Sequence, residues 1–279
     1  MKKKTFEILQ TKDGSFTLKH PVFDEAYHSV SAGAVTESAE KFLKPSGVLE
    51  IVEQTGKVRI LEVGFGLGIN CAVTLYEITK RFPSAEVEYI SLDAELNQLK
   101  VPVTPPGELG FFYRTLRDEI LNRGVFQRGK VVCRVITGDA RKTVKNLEGS
   151  FDAVYHDPFS PRKNCELWTL EFLNEIFKRL NPSGFWVTYS AALPVRRALY
   201  ELGLKIFNTR PVGRRSPGTA ATFGGEPLSD YLYPLSEKDL RRIKNSPRAV
   251  PFRDPTLSAP REEICRRYEE EVQLREEQR

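Results

Sequence analysis

An apolar run that ends in an acid and passes straight into three glycines on alternate positions is the part of this chain best suited to chemistry. It reads Arg59-Ile-Leu-Glu62-Val-Gly64-Phe65-Gly66-Leu-Gly68-Ile-Asn70. A strand-to-helix turn of this form, E-x-G-x-G-x-G, lets a nucleoside lie against bare backbone, because glycine adopts positive φ and carries no Cβ to block the approach. A dinucleotide fingerprint would want its next glycine three positions after Gly66, where the chain has Ile69, so NAD and FAD fit poorly. S-adenosylmethionine, whose carrier half is a nucleoside without phosphate, fits better. The competing reading is a glycine turn that binds nothing.

More acids follow at the ends of later apolar runs. Asp93 closes the run 87–92, where a carboxylate can accept both ribose hydroxyls, and Asp139, followed by Ala140, closes 131–137, where an acid can accept from an adenine amino group. Asp157 closes 153–156 in His156-Asp157-Pro158-Phe159-Ser160-Pro161, a stiff loop in which Phe159 can stack on a planar substrate. One such acid is usually a helix cap or a solvated loop residue. Four at successive strand ends, counting Glu62, favour a nucleoside cofactor at the carboxyl edge of an open sheet.

The elements that must hold these residues are legible from periodicity. From residue 58 onward apolar runs alternate with amphipathic stretches, which implies βαβ units and a parallel sheet. Strands are expected at 58–63, 87–92, 131–137, 153–157 and 185–190, and helices at 70–81, 167–180 and 195–202. The fold class is α/β, a Rossmann-like, mostly parallel, doubly wound sheet over 51–224. Residues 1–50 form an N-terminal extension with a small hairpin (6–9 and 15–19) and a short helix (38–43). Residues 225–279 form a tail ending in a charged helix, 261–279, read as peripheral. The long, proline-bearing crossover 93–131 is expected to fold over the site as a lid.

Composition sets the remaining bounds. The 279 residues, with 42 basic against 37 acidic, carry +5 and a pI near 8.9, compatible with a polyanionic partner. Basic residues gather at Arg196, Arg197, Lys205, Arg210, Arg214 and Arg215 and again at 241–248, as expected of phosphate contacts or of a solvated face. Cys71, Cys133, Cys165 and Cys265 are far apart without a C-x-x-C pair, which argues against a zinc ribbon or disulfide framework and suits a reducing cytoplasm. The three histidines share no metal spacing, so no metal is assigned. With no apolar run of about 18 residues and no signal core, a cytoplasmic protein without a membrane partner is expected.

Together these residues resemble the methyltransferase half of the MnmC family. The resemblance rests on Glu62 to Asn70, Ser91-Leu-Asp93, Gly138-Asp139, Asp157 to Thr169 and Tyr189-Ser-Ala191 with Val195-Arg-Arg197. Upstream it takes in Phe23 to Tyr27, Gly33 and Glu37, and it covers about 20–224. The family commonly has Asp-Gly-Phe-Ala-Pro where this chain has Asp157-Pro158-Phe159-Ser160-Pro161, and usually Glu in place of Asp93. The resemblance implies a class I methyltransferase fold and methyl transfer from S-adenosylmethionine to the amine of 5-aminomethyl-(2-thio)uridine at a tRNA wobble position. It implies Asp157 and Phe159 at the chemistry, and Tyr27, Glu37, Lys163, Asn164 and Trp168 on the substrate side. Arg196, Arg197, Arg214 and Arg215 would then meet tRNA. The family's FAD oxidase half has no counterpart in these residues, so either a separate enzyme supplies the amine or the aminomethyl substrate arrives directly. The rivals are a spermidine synthase-like aminopropyltransferase, a base N-methyltransferase with an Asp-Pro-Pro-Tyr motif, and an RNA-binding module with a vestigial pocket.

Overall fold

The computed structural model describes residues 5–213 and 215–278. The chain opens with a hairpin, β1 (Glu7–Gln10) and β2 (Phe16–Lys19), then α1 (Ala34–Ser38), a π-helical turn at Ala39–Leu43 and α2 (Val48–Thr55). Next come β3 (Lys57–Val63), α3 (Ile69–Arg81), β4 (Glu86–Asp93), α4 (Gly107–Arg123), β5 (Val125–Arg128), β6 (Val131–Thr137), α5 (Ala140–Thr143) and β7 (Phe151–His156). The second half runs α6 (Leu170–Phe177), β8 (Leu180–Thr188), α7 (Leu193–Glu201), β9 (Lys205–Thr209), β10 (Thr219–Thr222), β11 (Leu232–Pro234), α8 (Glu237–Asn245) and α9 (Arg261–Glu277).

Among the described residues all strands after the hairpin join one nine-stranded sheet in the order β11-β9-β10-β8-β7-β3-β4-β6-β5. The pairs β3–β4, β4–β6, β3–β7 and β7–β8 are parallel, and the antiparallel pairs lie toward the two edges. The strand order reverses at β3, which has β4 on one side and β7 on the other. That reversal opens the crevice at the strands' carboxyl ends.

Alternation along the strands divides the core in two. Ile60, Tyr155, Phe185 and Val187 pack beneath α2, α3 and α4, whereas Leu61, Val63, Val154 and Trp186 face the opposite layer with α6 and α7. A period of two sends successive side chains to opposite faces, so both layers are needed to cover the sheet.

The crossover after β4 is not a lid. α4 lies on the sheet with Tyr113, Leu116 and Ile120 fully buried, and β5 adds an antiparallel edge strand to β6. Burying Leu116 and Ile120 alone contributes roughly 3–6 kcal/mol at about 1.5–3 each, too much for a segment that opens and closes. The tail is joined to the same body: β11 extends the sheet at β9, and a disulfide links Cys165, after the Asp157 loop, to Cys265 on α9 across a sequence separation of 100. The reading against a disulfide framework rested on local spacing, whereas this one pair is made by the return of α9. Cys71 and Cys133 are free and buried. Among the described residues no helix is long and apolar enough to cross a membrane.

Candidate functional site

β3 delivers the glycine turn to the crevice. Gly64, Gly66 and Gly68 take φ of 90°, 54° and 74°, conformations that other residues adopt only under strain. A Cβ on Gly64 would lie 2.6 Å from the carbonyl oxygen of Asp157, so this position needs glycine for close approach as well as for its backbone angle. The turn is tied down from β4 and the segment after it: Gly66 N–H donates to Asp93 Oδ2 at 2.8 Å, and Gln98 Nε2 donates to the Gly66 carbonyl at 2.9 Å. Phe65 and Leu67 turn into the core, and Gly68 is the left-handed N-cap of α3.

The acids divide by environment. Glu62 is fully buried beneath the turn, accepts from Ser91 Oγ at 2.9 Å, and is pushed up to about 8, chiefly by burial. Asp93 is pushed up to about 6, again chiefly by desolvation, although the Gly66 and Glu95 N–H groups hold its carboxylate. Asp157 is raised well above the usual carboxylate range by desolvation first and then by the charge of Glu37, against the opposing hydrogen bond from Asn70 Nδ2 at 2.7 Å. For Asp139 burial pulls upward, but hydrogen bonds and charge from Arg141 outweigh it and its pKa falls. A cation brought to the wall formed by Asp157 and Asp93 would stabilise their ionised forms.

Asp93, Asp139 and Asp157 line a cavity of about 880 Å³, within the usual range for a small-molecule site. Its wall includes Tyr27, Glu37, Gly64, Gly66, Asp93, Asp139, Ala140, Asp157, Phe159 and Asn164. The far side comes from the N-terminal extension, where Phe23 stacks on Phe159 with ring centroids 4.3 Å apart and Tyr27 lies 5.1 Å from Phe159. The Phe159 loop is pinned from three directions. Trp168 Nε1 donates to the Phe159 carbonyl at 2.8 Å, Tyr189 Oη to the Pro158 carbonyl at 2.9 Å, and Ser160 N–H to Glu25 at 2.9 Å.

Several expected residues have other work. Trp168 is wholly buried and positions the Phe159 loop, so it does not face a substrate. Glu62, Phe65, Gly68 and Asn70 support the turn and Asp157 from behind and are not part of the cavity wall. Arg196 cannot be a phosphate contact: it is 4% exposed, with its guanidinium bonded to Thr219 Oγ1, Asn208 Oδ1 and the Gly218 carbonyl, and burial lowers its pKa to about 10. Arg197 is half-buried and tied to Glu201 and the carbonyls of Ile243 and Lys244. Lys163 and Arg215 are exposed, and Arg214 lies outside the described residues.

The structure adds His28, Gln98, Arg141 and Arg261 to the wall. Arg261 begins the helix read as peripheral, pairs with Glu166 at 2.7 Å and sits 4.5 Å over the Phe23 ring. No local pattern marks it, because its partners are about a hundred residues or more away.

Comparison with known proteins agrees with this geometry. A family model described as S-adenosyl-L-methionine-dependent methyltransferase matches residues 114–223. An uncharacterized protein of Methanocaldococcus jannaschii is 31% identical over 272 residues, covering 94% of this chain and 71% of that protein. The tRNA 5-methylaminomethyl-2-thiouridine biosynthesis bifunctional protein MnmC of Pseudomonas savastanoi is 29% identical over 77% of this chain, and the alignment spans 34% of that protein. The crystal structure of MNMC2 from Aquifex aeolicus superimposes with a TM-score of 0.90 at 39% identity, covering 98% of this chain and 87% of that one. A spermidine synthase, at 14% identity and a TM-score of 0.50, shares the fold alone.

Proposed function

This chain belongs to the MnmC family of S-adenosyl-L-methionine-dependent methyltransferases, and from that premise we propose that it methylates the amine of 5-aminomethyl-(2-thio)uridine at the wobble position of tRNA. The observation that carries the reading is a cavity in which a bare glycine turn and two carboxyl groups, Asp157 and Glu37, face the same space. The turn suits a nucleoside and the carboxyls suit a cationic or amine-bearing acceptor. The curated relatives named for tRNA 5-methylaminomethyl-2-thiouridine biosynthesis support the choice of acceptor, although the chain spans only about a third of their length.

The residues fit the cofactor. Gly64 and Gly66 line the crevice, Asp93 stands at the end of β4 for a ribose, and Asp139 with Ala140 closes the adenine side. When bound there, S-adenosylmethionine supplies an electrophilic methyl on a positively charged sulfur. The protein's part is to place a neutral amine. A simple alkylamine with a pKa of about 10.4 is neutral roughly once in a few thousand molecules near pH 7. Asp157, held by Asn70 at 2.7 Å, orients the amine; as a carboxylate beside an ammonium it favours the charged form, so orientation is its assigned role. Phe159, on its pinned loop, offers a face to the uracil, and positioning of this kind lowers a barrier by several kcal/mol. Arg215, exposed on the loop whose Gly213 carbonyl accepts from Ser31, offers a phosphate contact next to the N-terminal wall.

The test is incubation with labelled S-adenosylmethionine and bulk tRNA from a strain lacking wobble methylation, followed by nucleoside identification. Label in methylaminomethyl-(thio)uridine is expected. Label in a different nucleoside, or no label in tRNA while S-adenosylmethionine is still bound, would overturn the reading.

A further inference from the structure

An amine that arrives as an ammonium must shed a proton before it can attack, and Asp157 opposes that loss. A second carboxylate shares the cavity. Glu37 stands on α1, one turn after Gly33, near enough to Asp157 for its charge to be felt there. Its Oε2 accepts from the Ser29 N–H at 2.7 Å and lies 3.7 Å from His28 Nδ1. Oε1 takes no hydrogen bond among the described residues.

His28 also lines the cavity. Its backbone N–H is fixed by Thr17 Oγ1 at 3.0 Å, and its side chain is 4% exposed. Among the described residues Nδ1 is buried without a hydrogen-bond partner. A histidine that merely fills space ordinarily satisfies its ring nitrogens. Here the unmet nitrogen has a carboxylate just outside bonding distance, and that carboxylate faces the acceptor space.

We propose that Glu37 is the base that takes the proton from the bound ammonium and that His28 is a positioning residue that receives it from Glu37. The inference rests on the amine acceptor proposed above. One N–H bond of the ammonium breaks, its electron pair stays on nitrogen as the lone pair, and the proton passes to a Glu37 carboxylate oxygen. Closing the 3.7 Å gap lets the proton move to His28 Nδ1, which returns Glu37 to its ionised form and leaves an imidazolium beside it. The proton then lies one residue further from the nitrogen that must stay neutral. Asp157 is free to orient without also acting as base.

The experiment uses the full chain with S-adenosylmethionine and tRNA carrying the aminomethyl group, with S-adenosylhomocysteine affinity measured in parallel. Glu37→Gln is expected to lower kcat at least a hundredfold, with KM for tRNA and S-adenosylhomocysteine affinity within threefold of wild type. His28→Ala is expected to lower kcat at least tenfold and to be rescued by imidazole but not by pyrazole, a ring of the same shape and far weaker basicity. His28→Asn, which keeps a polar atom near the Nδ1 position, should match the unrescued rate while its S-adenosylhomocysteine affinity shows the fold intact. Equal rescue by both rings, a His28→Ala rate within twofold of wild type, or loss of S-adenosylhomocysteine binding would overturn the relay. Wild-type protein that methylates no amine would overturn the acceptor reading itself and the relay with it.

Discussion

Replacing Gly64 with alanine tests whether the glycine turn is built for close approach. Two costs follow from its surroundings. At φ 90° a residue with a Cβ is strained by roughly 1–2 kcal/mol. The new Cβ would also lie 2.6 Å from the Asp157 carbonyl oxygen and 2.9 Å from its carbon, backbone atoms that cannot rotate aside, and overpacking of that kind costs about 1–3 kcal/mol. The sum is roughly 2–5 kcal/mol, or on the order of 4–20 °C in Tm at about 2–4 °C per kcal/mol for a domain of this size. Gly129→Ala is the control. That glycine has a similar positive φ of 58° but, among the described residues, nothing within 4 Å of its Cβ position, so it bears only the strain. Thermal unfolding of both variants should separate them by several degrees. Calorimetry with S-adenosylhomocysteine should show weakened binding in Gly64→Ala only, because the clash displaces the backbone that carries Asp157. Equal unfolding temperatures and equal affinities would refute the close-approach argument.

Arg196→Ala strands Asn208, Thr219 and the Gly218 carbonyl and should destabilise the fold by roughly 2–4 kcal/mol without altering the salt dependence of tRNA affinity. Arg215→Ala should do the reverse, lowering the slope of log affinity against log salt by about 0.7–0.9 if it meets a phosphate; titrations at several salt concentrations read both. An acid whose folded pKa lies above its unfolded value stabilises the fold only while protonated, so Glu62, pushed up to about 8, contributes stability that is present near pH 4.5 and lost as pH rises through 8. Glu62→Gln should therefore show a flatter decline of Tm between pH 5 and 8.5, and an unchanged slope would refute the assignment. Opening the Cys165–Cys265 link, which spans 100 residues, should remove up to about 4–5 kcal/mol in the chain-entropy view, so Cys265→Ser should melt lower and lose its sensitivity to reductant.

The glycine turn and the four strand-end acids were readable because each lies where an apolar run stops, and local patterning carries that information. Boundaries failed where side-chain chemistry intervened. α6 starts at Leu170, not 167, since Thr169 Oγ1 accepts from the Phe172 N–H at 3.2 Å and caps it there. It ends at Phe177, not 180, and Pro182-Ser183-Gly184 falls inside β8, where the register against β7 shifts between Phe151 and Ala153. Arg196 looked like part of a basic band, but it sits among buried Val195, Ala198 and Leu199, and its partners come from 12 to 23 residues downstream. Glu37 and Tyr27 were found through family resemblance alone. His28 and Arg261 reach the cavity through folding of the two ends of the chain, and no sequence window contains both.

The cavity wall draws on residues from His20 to Arg261. During synthesis from the N-terminus, a sheet and its glycine turn can form while α9 is still being added, and domains commonly fold as they emerge. The ring of walls around the ligand is completed only when Arg261 reaches Glu166 and Phe23. A nascent chain therefore passes through a stage in which most of the sheet exists and the finished pocket does not.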